Sequence, residues 1–111
     1  MNLQLDTRRE GDGIAVVSVG GEVDNDTAPQ LKDALSAAFA DGAGRVIVDL
    51  SGTEFMDSSG LGALVGINKE HGNGRLALVC PRPQLRKLFE ISRLDEVFAV
   101  HDDLPTALDA G

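Results

Sequence analysis

Apolar and polar positions alternate at the start of the chain, with Leu3, Leu5 and Thr7 set against Gln4, Asp6 and Arg8. A period of two predicts a half-buried edge strand over residues 3–8. Glu10-Gly11-Asp12-Gly13 has turn chemistry, and the run IAVVSV at 14–19 is apolar on nearly both faces, as in a central strand. A hairpin therefore opens the fold. The period then changes. Thr27-Ala28-Pro29 predicts a helix start, because proline suits the first turn and Thr or Asp just before it can cap free N–H groups. Leu31, Leu35, Ala38 and Phe39 follow at helical spacing, and Gly42 ends the helix.

RVIVDL at 45–50 reads as a second buried strand. Leu61, Leu64 and Val65 mark one face of the next helix, which ends near His71-Gly72. LALVC at 76–80 predicts a third buried strand, and PQLRKLFEI at 83–91 a helix that turns Leu85, Leu88 and Phe89 inward. A short strand at 97–100 and a helix at 104–110 close the chain. The order β-β-α-β-α-β-α-β-α, in one domain over residues 1–111, predicts an α/β fold: an N-terminal hairpin followed by βα units in a mixed, mostly parallel sheet. Right-handed crossovers between neighbouring strands put the helices mainly on one side and leave the other face thinly covered.

Composition narrows the function classes. The formal charge of −8 repels phosphodiester backbones and anionic lipid, and with four Phe and no Trp or Tyr the chain lacks stacking platforms for bases. Direct nucleic-acid binding is not expected. Cys80 is the single cysteine, so no internal disulfide or cysteine-based zinc site can form. It is expected to be a small buried hydrophobe. No apolar run approaches the ~20 residues that span a bilayer, and the N-terminal segment has no apolar signal core. A cytoplasmic protein without membrane insertion, monomeric by default, is the expectation.

Parallel strands bring the segments that follow them to one sheet edge, where α/β proteins usually build sites. These are Gly20-Gly21-Glu22-Val23-Asp24, residues 51–62 and Pro81-Arg82-Pro83, with Ser58 and Ser59 at the centre. One reading of Asp57-Ser58-Ser59-Gly60 is a helix N-cap. One capping residue would suffice, yet two serines occur with Gly60, Gly62 and Gly66, although each helical glycine costs ~1 kcal/mol relative to alanine. Such glycines leave the first turn bare, so that another molecule's backbone could approach closely. A phosphate-cradling loop would need a lysine that is absent, and the acids Glu22, Asp24, Asp26, Glu54 and Asp57 disfavour a free anion. A serine hydrolase would need a base near Ser58 or Ser59. His71 ends the helix that Ser58 begins, roughly 20 Å away, and no GxSxG elbow supports His101. Both histidines read as solvated helix-end residues, and no catalytic residue is expected.

RVIVDLSGTEFMDSSGLGALVG at 45–66 resembles the signature of the anti-sigma factor antagonists, whose fold is the STAS domain. GGEVD at 20–24 resembles the family's earlier motif, and the likeness continues through residues 80–108. The resemblance implies a switch protein without cofactor, phosphorylated on the first serine of DSSG, here Ser58, by a partner kinase that is itself the anti-sigma factor. It also implies a metal-dependent serine phosphatase that reverses the modification. Asp24, Ser58, Ser59 and Gly60 would lie in the kinase-facing surface, with Glu22 and Asp57 beside them. Leu61 fits core burial by its spacing, yet its first-turn position could expose it to the partner. Arg82, Arg86, Lys87 and Arg93 form a basic face, read first as solvated and second as a further partner contact. The alternative to the switch is an unphosphorylated structural STAS subunit of a lipid transporter or signalling scaffold, in which Ser58 merely caps the helix.

Overall fold

The computed structural model describes residues 2–72 and 74–110. It places strands Leu3–Arg9 (β1), Ile14–Val23 (β2), Arg45–Met56 (β3), Leu76–Val79 (β4) and Ala99–His101 (β5) side by side in chain order. β1 runs antiparallel to β2, with Leu5 opposite Val19, and the other neighbours are parallel. Helices Ala28–Ala40 (α1), Ser58–His71 (α2) and Pro83–Ile91 (α3) alternate with the strands, and Leu104–Asp109 (α4) follows β5.

The main core lies between the sheet and the three crossover helices. Leu31 and Leu35 of α1, Leu64 and Ile67 of α2, and Leu85 and Phe89 of α3 close over Val17, Val19, Val48, Leu50 and Leu78. The alternate residues of the same strands, Val16, Ile47, Ala77 and Val79, face the other way and are covered by Leu104, Ala107 and Leu108. Among the described residues α4 is thus the one helix on the second face. It connects no two strands, so the crossover rule does not bind it, and it supplies the thin cover that the second face otherwise lacks. Beyond its reach that face carries a shallow groove lined by Gln4, Asp6, Ser18 and Asp49.

Two strands run further than their apolar runs. β2 continues through Gly20 to Val23 and β3 through Ser51 to Met56, so the segments expected to leave the sheet stay paired in it. The glycines and polar residues there read as breaks, but register shifts between Ser18 and Gly20 and between Gly21 and Glu22 absorb the irregularity. Gly21 adopts φ +88°, and its α-carbon lies against the carbonyl of Asn2, where no side chain fits. The hydroxyl of Thr53 donates to the carbonyl of Val19 at 2.8 Å and ties the extensions together.

At the far end, Leu94–Glu96 forms a 3₁₀ turn and β5 begins at Ala99, two residues later than expected. His71 ends α2 as expected but is partly buried, and His101 is not a helix-end residue. The His71 ring stacks on Phe39 with centroids 4.3 Å apart, and the Arg75 guanidinium also approaches Phe39. His101 belongs to β5 and its Nε2 is buried. Cys80 is buried as expected, and burial pushes its thiol pKa up. Part of the basic face is structural: Arg86 pairs with Asp102, and Arg82 donates to the carbonyl of Ser51. Lys87 and Arg93 are exposed.

Candidate functional site

The site forms where the ends of β2 and β3 meet the start of α2. The Asp57 N–H donates to the carbonyl of Val23 at 3.1 Å, which ties the entry of α2 to the neighbouring strand. Asp57 then leaves the helix path with an extended backbone, and its Oδ1 accepts the N–H of Ser59 at 2.8 Å. The cap of α2 is therefore Asp57. Ser58, the first helical residue, is exposed, and its hydroxyl has no hydrogen-bond partner among the described residues. Loss of the Asp57 carboxylate in Asp57→Ala is expected to cost about 1 kcal/mol of folding stability. Ser58→Ala is expected to stay within about 0.5 kcal/mol of wild type, with both variants measured by urea unfolding.

Successive residues of α2 point about 100° apart, so the neighbouring serines face different ground. Ser59 is half-buried and turns toward α1, where it lines a concavity with Asn25, Ala28, Pro29, Lys32 and Gly62. Gly60 is buried: a β-carbon there would lie 2.6 Å from Met56 Cγ and 2.9 Å from Val23 Cγ1. Its lack of a side chain seats α2 on the strand ends. Around Gly62 a β-carbon would meet nothing within 4 Å, so the bare surface expected of the first turns is found there and not at Gly60. Leu61 is half-buried and packs against the main core.

Asp24 is buried beneath this edge. Its Oδ1 accepts the N–H groups of Asp26 at 2.9 Å and Thr27 at 3.1 Å, and the Asp24 N–H donates to the Thr27 hydroxyl oxygen at 2.9 Å. That hydroxyl's one proton is shared between the carbonyl of Glu22 and Asp24 Oδ1. Thr27 occupies the N-cap position of α1 without capping it; its side chain binds back into the turn. The sequence reading missed this role, for which TxP at a helix entry was the available signal.

Burial works to raise the Asp24 pKa, but the hydrogen bonds from Thr27 and Asp26 outweigh it and hold the carboxyl below its ordinary value. The bond from Thr106 lowers Asp103 in the same way. A folded-state pKa below the unfolded one gives stability that is complete above the unfolded value, ~3.9, and is lost as pH falls through the folded value. Thermal unfolding from pH 6 to pH 2 is therefore expected to show a shallower loss below about pH 4 in Asp24→Asn than in wild type.

Glu22 and Asp57 are half-buried, Asp26 and Glu54 are exposed, and none of them joins an ion pair among the described residues. The edge is acidic. Phe55, also missed in the sequence reading, sits within it and is 47% exposed. The signal was available in its place next to Met56, since alternate strand residues face opposite ways. Among the described residues no cluster of His, Cys, Asp and Glu could hold a metal ion, and no helix is long and apolar enough to cross a membrane.

Residues 7–107 match the family model of the STAS domain. The chain is 34% identical over 104 residues to an anti-sigma-B factor antagonist of Staphylococcus aureus (strain NCTC 8325 / PS 47), covering 92% of this chain and 95% of that protein. A crystal structure of an anti-sigma factor antagonist from Mycobacterium paratuberculosis superposes with a TM-score of 0.90 at 34% identity, covering 98% of this chain and 93% of that one. The Bacillus cell fate determinant SpoIIAA in its phosphorylated form superposes with a TM-score of 0.72 at 27% identity, covering 96% and 98%. With the DSSG turn, the GEVD strand end and the whole sheet accounted for, the chain belongs to the STAS domain family, among the anti-sigma factor antagonists.

Proposed function

We propose that this protein is a phosphorylation-controlled binding switch that, when unphosphorylated, sequesters an anti-sigma factor serine kinase in the cytoplasm and so frees a sigma factor. The observation that carries this reading is the exposed, unbonded Ser58 hydroxyl beside an Asp57 that already caps the helix. A serine needed only for capping has no work left at position 58, which disfavours the fixed structural subunit.

In the proposed reaction Ser58 Oγ attacks the γ-phosphorus of ATP held by the kinase. The new O–P bond forms as the bond to the β-phosphate oxygen breaks, ADP leaves, and the hydroxyl proton passes to a base on the kinase. A metal-dependent serine phosphatase hydrolyses the ester and returns serine and inorganic phosphate. Nothing in this chain then needs a cofactor or acts as a catalyst. The kinase-facing surface comprises Ser58, Ser59, Leu61 and the acids Glu22 and Asp57, with Asp24 and Gly60 shaping it from below. The phosphate adds about −1.5 to −2 charges at a helix N-terminus, where the helix dipole tolerates it.

The test mixes the unphosphorylated monomer, in the absence of nucleotide hydrolysis, with each histidine-kinase-like anti-sigma factor of the source organism already loaded with its sigma factor. Release of sigma by one of them, read by size-exclusion chromatography, is the expected result. Binding to none of them would reject the proposal.

A further inference from the structure

Phe55 stands at an unusual place for an aromatic ring. It pairs in register with Glu22 across β2 and β3, next to the pair Val23 and Met56. Val23 and Met56 are buried against Gly60 of α2, so strand alternation turns Phe55 and Glu22 to the opposite side. There the cover given by α4 reaches Ile14, Val16, Ile47, Ala77 and Val79, all nearer the other end of the sheet. Phe55 is consequently left 47% exposed, although burial would stabilise a phenyl side chain by about 1.5–3 kcal/mol. Glu54 and Asp57 flank it in sequence, and Glu22 faces it across the strands. No ion pair of the described residues neutralises these three carboxylates.

Phe55 is three residues from Ser58, at most about 10 Å along an extended chain. An interface of ordinary size, about 800 Å² per partner, extends roughly 16 Å from its centre. An interface of that size centred on Ser58 has the reach to include Phe55. Aromatic side chains that become fully desolvated near the centre of an interface carry a disproportionate share of its binding energy.

We propose that Phe55 is the apolar anchor of the kinase-docking surface, entering an apolar pocket on the anti-sigma factor whose rim carries Lys or Arg side chains opposite Glu22, Glu54 and Asp57. The assignment rests on the switch reading of Ser58 and adds the docking contact to it. The phenyl ring supplies affinity, and the surrounding carboxylates supply orientation and encounter rate.

The test compares wild type, Phe55→Ala and Phe55→Leu for affinity to the kinase that phosphorylates the wild type, with sedimentation of each protein alone. Because the ring is half exposed, thermal stability is expected to change little, and Phe55→Leu serves as a check should the alanine variant prove unstable. The expected result is a loss of about 30-fold in affinity for Phe55→Ala, carried by faster dissociation, with a smaller loss for Phe55→Leu. Phosphate should still reach Ser58 in both variants at saturating kinase. Equal affinity of wild type and Phe55→Ala would overturn the anchor while leaving the switch intact. So would a wild-type dimer that Phe55→Ala dissociates with kinase affinity unchanged, since a second copy would then be the occupant. A wild type that no kinase binds or modifies would instead remove the reading on which the anchor rests.

Discussion

Phosphorylation of Ser58 is expected to weaken binding to the anti-sigma factor by at least about 100-fold while leaving the fold in place, a difference of roughly 2.7 kcal/mol. The size follows from where the charge falls. The Ser58 hydroxyl is exposed and unbonded, so the fold loses no contact when it is esterified. The dipole at the start of α2 favours a negative neighbour. A partner packed closely on the same spot has no room for the phosphate, and closing the contact would desolvate the added charges beside those of Glu22, Glu54 and Asp57 on this chain. Like charges brought together in a desolvated contact cost several kcal/mol. Backbone amide shifts between the two forms are expected to stay within residues 20–26 and 54–66. Wide shifts elsewhere would mean that the phosphate acts through a change of fold instead.

The second large effect concerns the two glycines that share the first turns of α2. Gly60→Ala is expected to destabilise the protein by about 1–3 kcal/mol, because the new methyl would press on Met56 Cγ and on Val23 Cγ1, which a stiff β-branched side chain cannot withdraw. The damage falls on the seat of α2, so Ser58 and Asp57 would shift with it. Gly62→Ala has open space around it and is expected to raise stability by up to about 1 kcal/mol through helix propensity. If the partner's backbone approaches that bare surface, the same methyl weakens kinase binding in a protein that is otherwise more stable. Denaturant unfolding of both variants, paired with kinase titrations, separates the packing role from the surface role. A Gly60→Ala protein as stable as wild type would contradict the seating described here.

Much of this was legible in the sequence because the apolar periods are clean. IAVVSV, RVIVDL and LALVC could be little other than buried parallel strands, and α3 occupies the residues its spacing predicted. The strand ends were not legible. Gly20-Gly21 and Ser51-Gly52 carry the composition of loops, and only pairing across the sheet, with Thr53 reaching the Val19 carbonyl, keeps them extended. Ser58 could be placed at a helix start from sequence, but not the division of labour with Asp57, which depends on which oxygen reaches the Ser59 N–H. Gly60 and Gly62 look alike in the sequence and differ only in what lies beneath them. His71 on Phe39 is likewise a tertiary contact, between the ends of two helices, that no local pattern announces.

The most direct test of the switch is a single experiment on wild type, Ser58→Ala and Ser59→Ala, each incubated with the cognate kinase and ATP and then measured by intact and fragment mass. The expected outcome is one added phosphate, located on Ser58, in wild type and in Ser59→Ala, and none in Ser58→Ala. Phosphate on Ser59, or on Ser58→Ala to the same extent as wild type, would contradict the assignment of Ser58 as the residue through which binding is controlled.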